Sequence, residues 1–439
     1  MSSKVRTPAS RSVNDGAIGP SGVLAMLSHG VMHEARKTTP RGHRAVRPRV
    51  LATGLALTAG LLLVAGCTSE VPTAGPALSD ASSSSARSSG PADVGPSPVA
   101  ATTSTDGVTI ADDAETTDVA TGLEAPWSVV RLDSGSALVS LRDSGRVVEL
   151  TASGELRDVA RIDGVVHEGE GGLLGLAVLG GAPSYLYAYL TTADDNRIVR
   201  APITGTAGSY GLGGVEEVLT GIPKASNHDG GRLAFGPDGM LYATTGDASD
   251  PTAAQDPDSL GGKVLRLSPT GAVPSDNPMP GSPVYTLGHR NPQGIAWDAF
   301  GSPWAAEFGQ NTYDELNSLS PGSNYGWPEV EGRGDDGDFL NPVLQWSTDD
   351  ASPSGLTAVG STLFLAGLGG ERLFEIQVPA TSAAVPTERF TGDRSLGRIR
   401  DVLPGPDGTL WLVTSNTDGR GSPGADDDRI VSVPLTRVP

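Results

Sequence analysis

The sequence predicts an all-β protein built as a six-bladed β-propeller. Three observations lead there. Glycine (59) and proline (34) make up about 21 % of the 439 residues, a turn-rich composition. One local pattern, a turn of Gly, Asp or Ser followed by a short apolar or aromatic run, recurs six times. No stretch holds a sustained 3.6-residue apolar period, which disfavours a helical solenoid. A pair of β-sandwiches is the competing architecture.

In chain order, the first element is an address. Arg41, Arg44, Arg47 and Arg49 form a basic cluster, followed by an apolar run over 50–66. The run is short for a spanning helix. It ends in Val64-Ala65-Gly66-Cys67, a small-residue cleavage site closed by the only cysteine of the chain. A basic flank, an apolar core and small residues at the cut are the anatomy of a secretory signal. The basic cluster begins late for such a signal, so Met26 and Met32 stand beside Met1 as alternative starts. Residues 67–107 are rich in Ser, Ala, Pro, Thr and Gly, including Ser82-Ser83-Ser84-Ser85, and read as a flexible, disordered linker. The folded domain is expected over 108–439.

The six copies align on Leu138, Tyr187, Tyr242, Trp304, Phe364 and Trp411, at spacings of 49, 55, 62, 60 and 47 residues. That period suits four-stranded blades around a channel. Each copy reads as the inner strand of a blade. Gly145-Arg146-Val147-Val148, Gly262-Lys263-Val264-Leu265 and Arg372-Leu373-Phe374 then read as second strands. Loops of a propeller gather at the ends of the channel, so polar clusters distant in sequence can share one site.

Charge and motif content exclude several functions. The formal net charge is −20, and −27 without residues 1–66, which hold nine basic and two acidic side chains. A polyanion such as nucleic acid needs a basic footprint and is excluded as a partner. One cysteine allows no intrachain disulfide and no multi-cysteine zinc site. No P-loop, no G-x-G-x-x-G opening a strand–helix unit and no G-x-S-x-G elbow occurs.

Four polar segments stand out. They are Glu168-Gly169-Glu170-Gly171-Gly172, then Asn227-His228-Asp229-Gly230-Gly231-Arg232, then Gly288-His289-Arg290-Asn291-Pro292-Gln293-Gly294, and Gly397-Arg398-Ile399-Arg400-Asp401. The third is followed by Glu307-Phe308-Gly309-Gln310 and Asn324-Tyr325-Gly326-Trp327-Pro328. In this order, over about 320 residues, they resemble the soluble glucose/sorbosone dehydrogenases that use pyrroloquinoline quinone (PQQ), a family of six-bladed propellers. The Cys67 site likewise resembles the lipobox of bacterial lipoproteins.

The resemblance implies an oxidoreductase that takes an aldose at C1 to its lactone. His228 falls on the general base, and an imidazole can accept a proton at neutral pH. Glu170 falls on a site-lining position. Arg290, Asn291, Arg398 and Arg400 fall on cofactor contacts, and guanidinium groups pair with carboxylates in bidentate fashion. The carbonyls of Gly309 and Gln310 fall on a calcium ion, a hard cation suited to oxygen ligands. Asp314 and Glu315 are candidates for a second calcium ion, with a solvated acidic turn as the alternative. The implied partners are an aldose, a membrane quinone or cytochrome as electron acceptor, and the membrane through a lipid on Cys67 alone. The implied location is outside the cytoplasm, anchored to the outer face of the bacterial cell membrane.

Three positions depart from the family pattern. A lysine is expected within 368–372, where Gly369 stands, with Arg372 as a candidate substitute. An aspartate expected before the histidine is Asn227. Another, near the last inner strand, falls on Ser415 or Asn416. These departures keep two alternatives open: a catalytically inactive propeller that binds carbohydrate or protein, and a calcium-dependent propeller lactonase.

Overall fold

The computed structural model describes residues 106–438. The expected signal, the lipobox cysteine Cys67 and the linker up to residue 105 lie outside the described residues. The rest forms six antiparallel sheets in sequence, the blades of a propeller, and a short antiparallel pair of Val108–Thr109 with Thr436–Arg437. Their first strands are Pro126–Arg131, Leu173–Leu179, Leu233–Phe235, Asn291–Trp297, Pro353–Val359 and Ile399–Pro404. Each touches the first strand of the next blade, and the sixth touches the first, so these strands line a closed channel. Blade 6 takes its outermost strand, Thr117–Ala120, from the start of the domain.

The recurring pattern marks the second strand of every blade, not the inner one. Leu138, Tyr187, Tyr242, Trp304, Phe364 and Trp411 lie on Ala137–Leu141, Tyr185–Thr191, Leu241–Thr245, Pro303–Phe308, Thr362–Gly367 and Thr409–Thr414. The strands expected second, such as Arg146–Leu150, are third. Burial explains the shift by one. A second strand is covered on both faces by neighbouring blades and so reads as a continuous apolar run. Leu363 and Leu365 pack toward blade 4, whereas Phe364 and Ala366 pack toward blade 6. The same alternation sends Leu138 toward blade 2 and Val139 toward blade 6. Six apolar clusters result, one between each pair of adjacent blades.

First strands carry polar and small residues along the channel, and most carry a bulge, as at Pro292/Gly294 and Ile399/Asp401. Bulges break the strict alternation and turn side chains toward the channel. Because the sheets are antiparallel, the start of a first strand and the end of a second strand lie at the same end of the blade. All four polar motifs lead into first strands, and the third and fourth run on into them. They therefore share that end with the turns that follow second strands, and these two sets of turns build the site.

Candidate active site

His228 sits in the turn leading into Leu233–Phe235 with φ 64°, a left-handed conformation that a residue with a Cβ rarely adopts. Three neighbours hold it there. Its N–H donates to Glu170 Oε2 at 3.1 Å, its carbonyl accepts from Ala248 N at 3.1 Å, and its Nδ1 lies 2.7 Å from Asp247 Oδ1. Asp247 stands in the turn just after the second strand of the same blade, Leu241–Thr245, and is fully buried, while the His228 side chain is 13 % exposed. Gly246 permits this approach, because a Cβ there would lie 1.8 Å from the His228 carbonyl oxygen. The Asp247 carboxylate also accepts Ser249 N at 2.8 Å and Trp327 Nε1 at 2.9 Å. A carboxylate that accepts at Nδ1 selects, for the neutral imidazole, the tautomer with its proton on Nδ1 and its lone pair on Nε2.

Glu170 ties blade 2 to blades 3 and 4. Its Oε2 also accepts Asn291 Nδ2 at 3.4 Å, and Asn291 Oδ1 accepts Gly230 N at 3.0 Å. Glu170, Asp229, Arg398 and Arg400 line one cavity with Trp127, Arg142 and others, about 550 Å³ including its open mouth. Asp229 is 1 % exposed. Its Oδ1 accepts Asn196 Nδ2 at 2.8 Å, and its Oδ2 has no partner. Burial pushes its carboxyl up to about 6.

Positive charge dominates the opposite wall. Arg398 and Arg400 converge on Asp418 Oδ2 at 3.1 and 3.5 Å. Arg400 also donates to Gln293 Oε1 at 2.9 Å. Burial tends to raise the Asp418 carboxyl, but the two guanidiniums outweigh it and hold it below its usual range. Burial, and then the nearby Arg142 guanidinium, pushes Arg400 well down. The Nε atoms of Arg398, Arg400 and Arg290 are buried without partners. Arg290 lies over the Trp327 ring, 5.7 Å from its centroid, and donates to the Phe308 carbonyl at 3.3 Å. Buried guanidiniums with unmatched donors are the setting for a polycarboxylate such as PQQ, so the residues present fit that group.

The turn after the second strand of blade 4 carries Gly309 and Gln310. Asp314 Oδ1 accepts Gly309 N at 2.8 Å, and Glu331 Oε1 accepts Gln310 N at 2.6 Å and Asn311 N at 2.9 Å. The Gly309 and Gln310 carbonyls accept no hydrogen bond among the described residues, which suits them as oxygen ligands. Asp314 and Glu315 are not on a solvated turn. Both are buried in Tyr313–Ser318, where neighbouring residues point to opposite faces. Asp314 accepts Ser352 N at 2.6 Å, and Glu315 accepts Gly332 N at 2.8 Å. Among the described residues no group of three or more His, Cys, Asp or Glu is placed to hold a metal ion.

The structure thus brings His228, Glu170, Asn291, Arg398 and Arg400 to one mouth, with Arg290 beside them. It leaves Asp314 and Glu315 tied to backbone donors. Sequence reasoning missed Asp247, Arg142, Asp418 and Arg420, all on turns after second strands. In the turn that holds Ser415 and Asn416, the carboxylate that meets Arg398 and Arg400 is that of Asp418. Asn227, in place of an aspartate, accepts the Ser249 hydroxyl at 3.0 Å. Arg372 does not face the cavity: it binds the Gly370 carbonyl at 2.8 Å and Glu388 at 2.9 Å.

Known proteins resemble this chain in sequence and in fold. A sequence profile described as glucose/sorbosone dehydrogenase matches residues 123–422. The aldose sugar dehydrogenase YliI of Escherichia coli K12 is 30 % identical over 341 residues, covering 68 % of this chain and 89 % of that protein. Quinoprotein glucose dehydrogenase B of Acinetobacter calcoaceticus is 30 % identical over 256 residues, 50 % of this chain and 54 % of that one. The PQQ-bound aldose sugar dehydrogenase structure from Streptomyces coelicolor superposes with a TM-score of 0.70 at 46 % identity, covering 75 % of this chain and 100 % of that one. With six blades, an imidazole–carboxylate pair at the channel mouth and these matches, the chain belongs to the glucose/sorbosone dehydrogenase family, that of the PQQ-dependent aldose dehydrogenases.

Proposed function

We propose that this sugar dehydrogenase oxidises an aldose at C1 to the lactone, with His228 as the general base. The observation that carries the reading is the 2.7 Å contact between His228 Nδ1 and Asp247 at the edge of an arginine-lined cavity. Asp247 fixes the tautomer, so Nε2 takes the proton of the C1 hydroxyl. The imidazolium that forms is stabilised by the same buried carboxylate. Glu170 holds the His228 backbone and presents its second oxygen toward Arg420 at 3.5 Å.

Arg290, Asn291, Arg398 and Arg400 would hold PQQ, and the Gly309 and Gln310 carbonyls would hold a calcium ion. When bound, PQQ supplies the two-electron acceptor for the C1 hydride, with calcium as the Lewis acid that polarises it. The acidic surface and the Cys67 site support a lipid-anchored protein outside the cytoplasm. A membrane quinone or cytochrome would then take the electrons onward.

The test is aldose-dependent dye reduction by the purified full chain after addition of PQQ and calcium. Turnover with an aldose, and none without PQQ, is the expected result. Cofactor binding with no reduction by any aldose would leave a binding protein instead.

A further inference from the structure

The blade-5 wall of the cavity lacks the cation that the family resemblance places there. Leu368 lines that wall, Gly369 follows it, and Arg372 is turned away to Glu388. Nor does the loop have room for a longer side chain at its centre. A Cβ on Gly370 would lie 2.0 Å from the Asp350 carbonyl oxygen, and one on Gly369 would lie 2.5 Å from Ser352 Oγ.

A cation stands instead in blade 1. Arg142 follows the second strand Ala137–Leu141, lines the cavity and is 4 % exposed. Its Nε donates to Asp143 at 2.7 Å, while its terminal nitrogens make no hydrogen bond among the described residues. The side chain is held in place from behind. Gly172, at φ 148°, packs so closely over it that a Cβ would lie 2.4 Å from the Arg142 carbonyl oxygen and 2.8 Å from its Cγ. The last glycine of the Glu-Gly-Glu-Gly-Gly turn thus seats this arginine.

Its surroundings are already rich in like charge. After burial, the Arg142 guanidinium does most to push Arg400 down, and Arg398 and Arg400 share the single carboxylate of Asp418. Asp143 meets Arg142 only at Nε, so the terminal nitrogens of Arg142 and the unpartnered Nε atoms of Arg398 and Arg400 leave donors for an anion. Resting on the PQQ reading above, we infer that Arg142 anchors a carboxylate of the bound quinone, so that in this chain blades 1 and 6 supply the positive charge absent from blade 5.

The experiment is a titration of the purified full-length protein with PQQ in the presence of calcium. Binding is followed by quenching of tryptophan fluorescence, since Trp127 lines the cavity, and each cofactor-free variant is also melted. Arg142→Gln should weaken PQQ binding about tenfold to a hundredfold, the range for loss of a charged hydrogen bond. Arg142→Lys should lose less, and Arg372→Gln should bind as the wild type does. Without cofactor, Arg142→Gln should melt no lower than the wild type, because repulsion against Arg400 is relieved. A purely structural arginine would instead lower that melting temperature and leave PQQ affinity intact. Wild-type affinity in Arg142→Gln, or an equal loss in Arg372→Gln, would overturn the inference while leaving the enzyme reading in place. Absence of PQQ binding by the wild type would remove both.

Discussion

His228 and Asp247 meet at 2.7 Å through a contact that a single glycine makes possible. The two residues come from different turns of blade 3. Asp247 follows the second strand and His228 precedes the first, so the antiparallel sheet brings them together at the channel mouth. Asp247→Asn keeps the shape but presents an amide, which can donate to Nδ1 and leave the proton on Nε2. The expected result is a fall in kcat/KM of about a hundredfold or more with PQQ affinity unchanged, and an altered pH profile. Steady-state kinetics alongside a PQQ titration check it.

Gly246 gives an independent handle on the same pair. In Gly246→Ala the added methyl meets the His228 carbonyl, and backbone must move to relieve the clash. Both melting temperature and turnover should fall, by several degrees and by at least tenfold. Gly239→Ala makes a useful contrast. That turn is open, with nothing within 4 Å of the new methyl. Its φ of 74° strains alanine, so stability falls while kcat per folded molecule stays the same.

Asp229 predicts a pH effect of defined sign. Its carboxyl is pushed up from 3.8 to about 6 by burial, so the folded state holds the proton more tightly than the unfolded chain. The stability this contributes is fully present below about pH 4 and is lost as pH rises through about 6. Relative to the wild type, Asp229→Asn should therefore gain stability between pH 4 and pH 7.5, by about 2 kcal/mol. Denaturant melts of both proteins at the two pH values measure it.

Much of the fold was legible because propeller second strands are buried on both faces, which makes their apolar runs repeat. The same fact misled the strand assignment. Runs such as the one around Phe364 are conspicuous because they lie between blades, while channel-lining strands such as Asn291–Trp297 carry polar and small residues. The site was legible where a motif enters a first strand, as with His228, Asn291 and Arg398. It was not legible on turns after second strands. Arg142 and Asp418 stand in short polar turns that resemble surface loops, and only blade geometry brings them to the cavity. Asp247 had one readable signal: a carboxylate just past the second strand after the histidine turn, where a base needs an orienting partner.

Arg400 sets the expectation for the cofactor site itself. It is buried, binds Gln293 and Asp418, and keeps an unpartnered Nε. Arg400→Gln should weaken PQQ binding by about a hundredfold, and raising salt should weaken binding less in the variant than in the wild type. Equilibrium titration at two ionic strengths reads both effects.

The most direct measurement concerns the proton. His228→Gln, saturated with PQQ and calcium, is mixed with an aldose without an external acceptor, and reduction of the bound quinone is followed by its absorbance. The expected outcome is PQQ affinity within about threefold of the wild type, with reduction slowed by about a thousandfold or more. Reduction at the wild-type rate would contradict the assignment of His228 as the base.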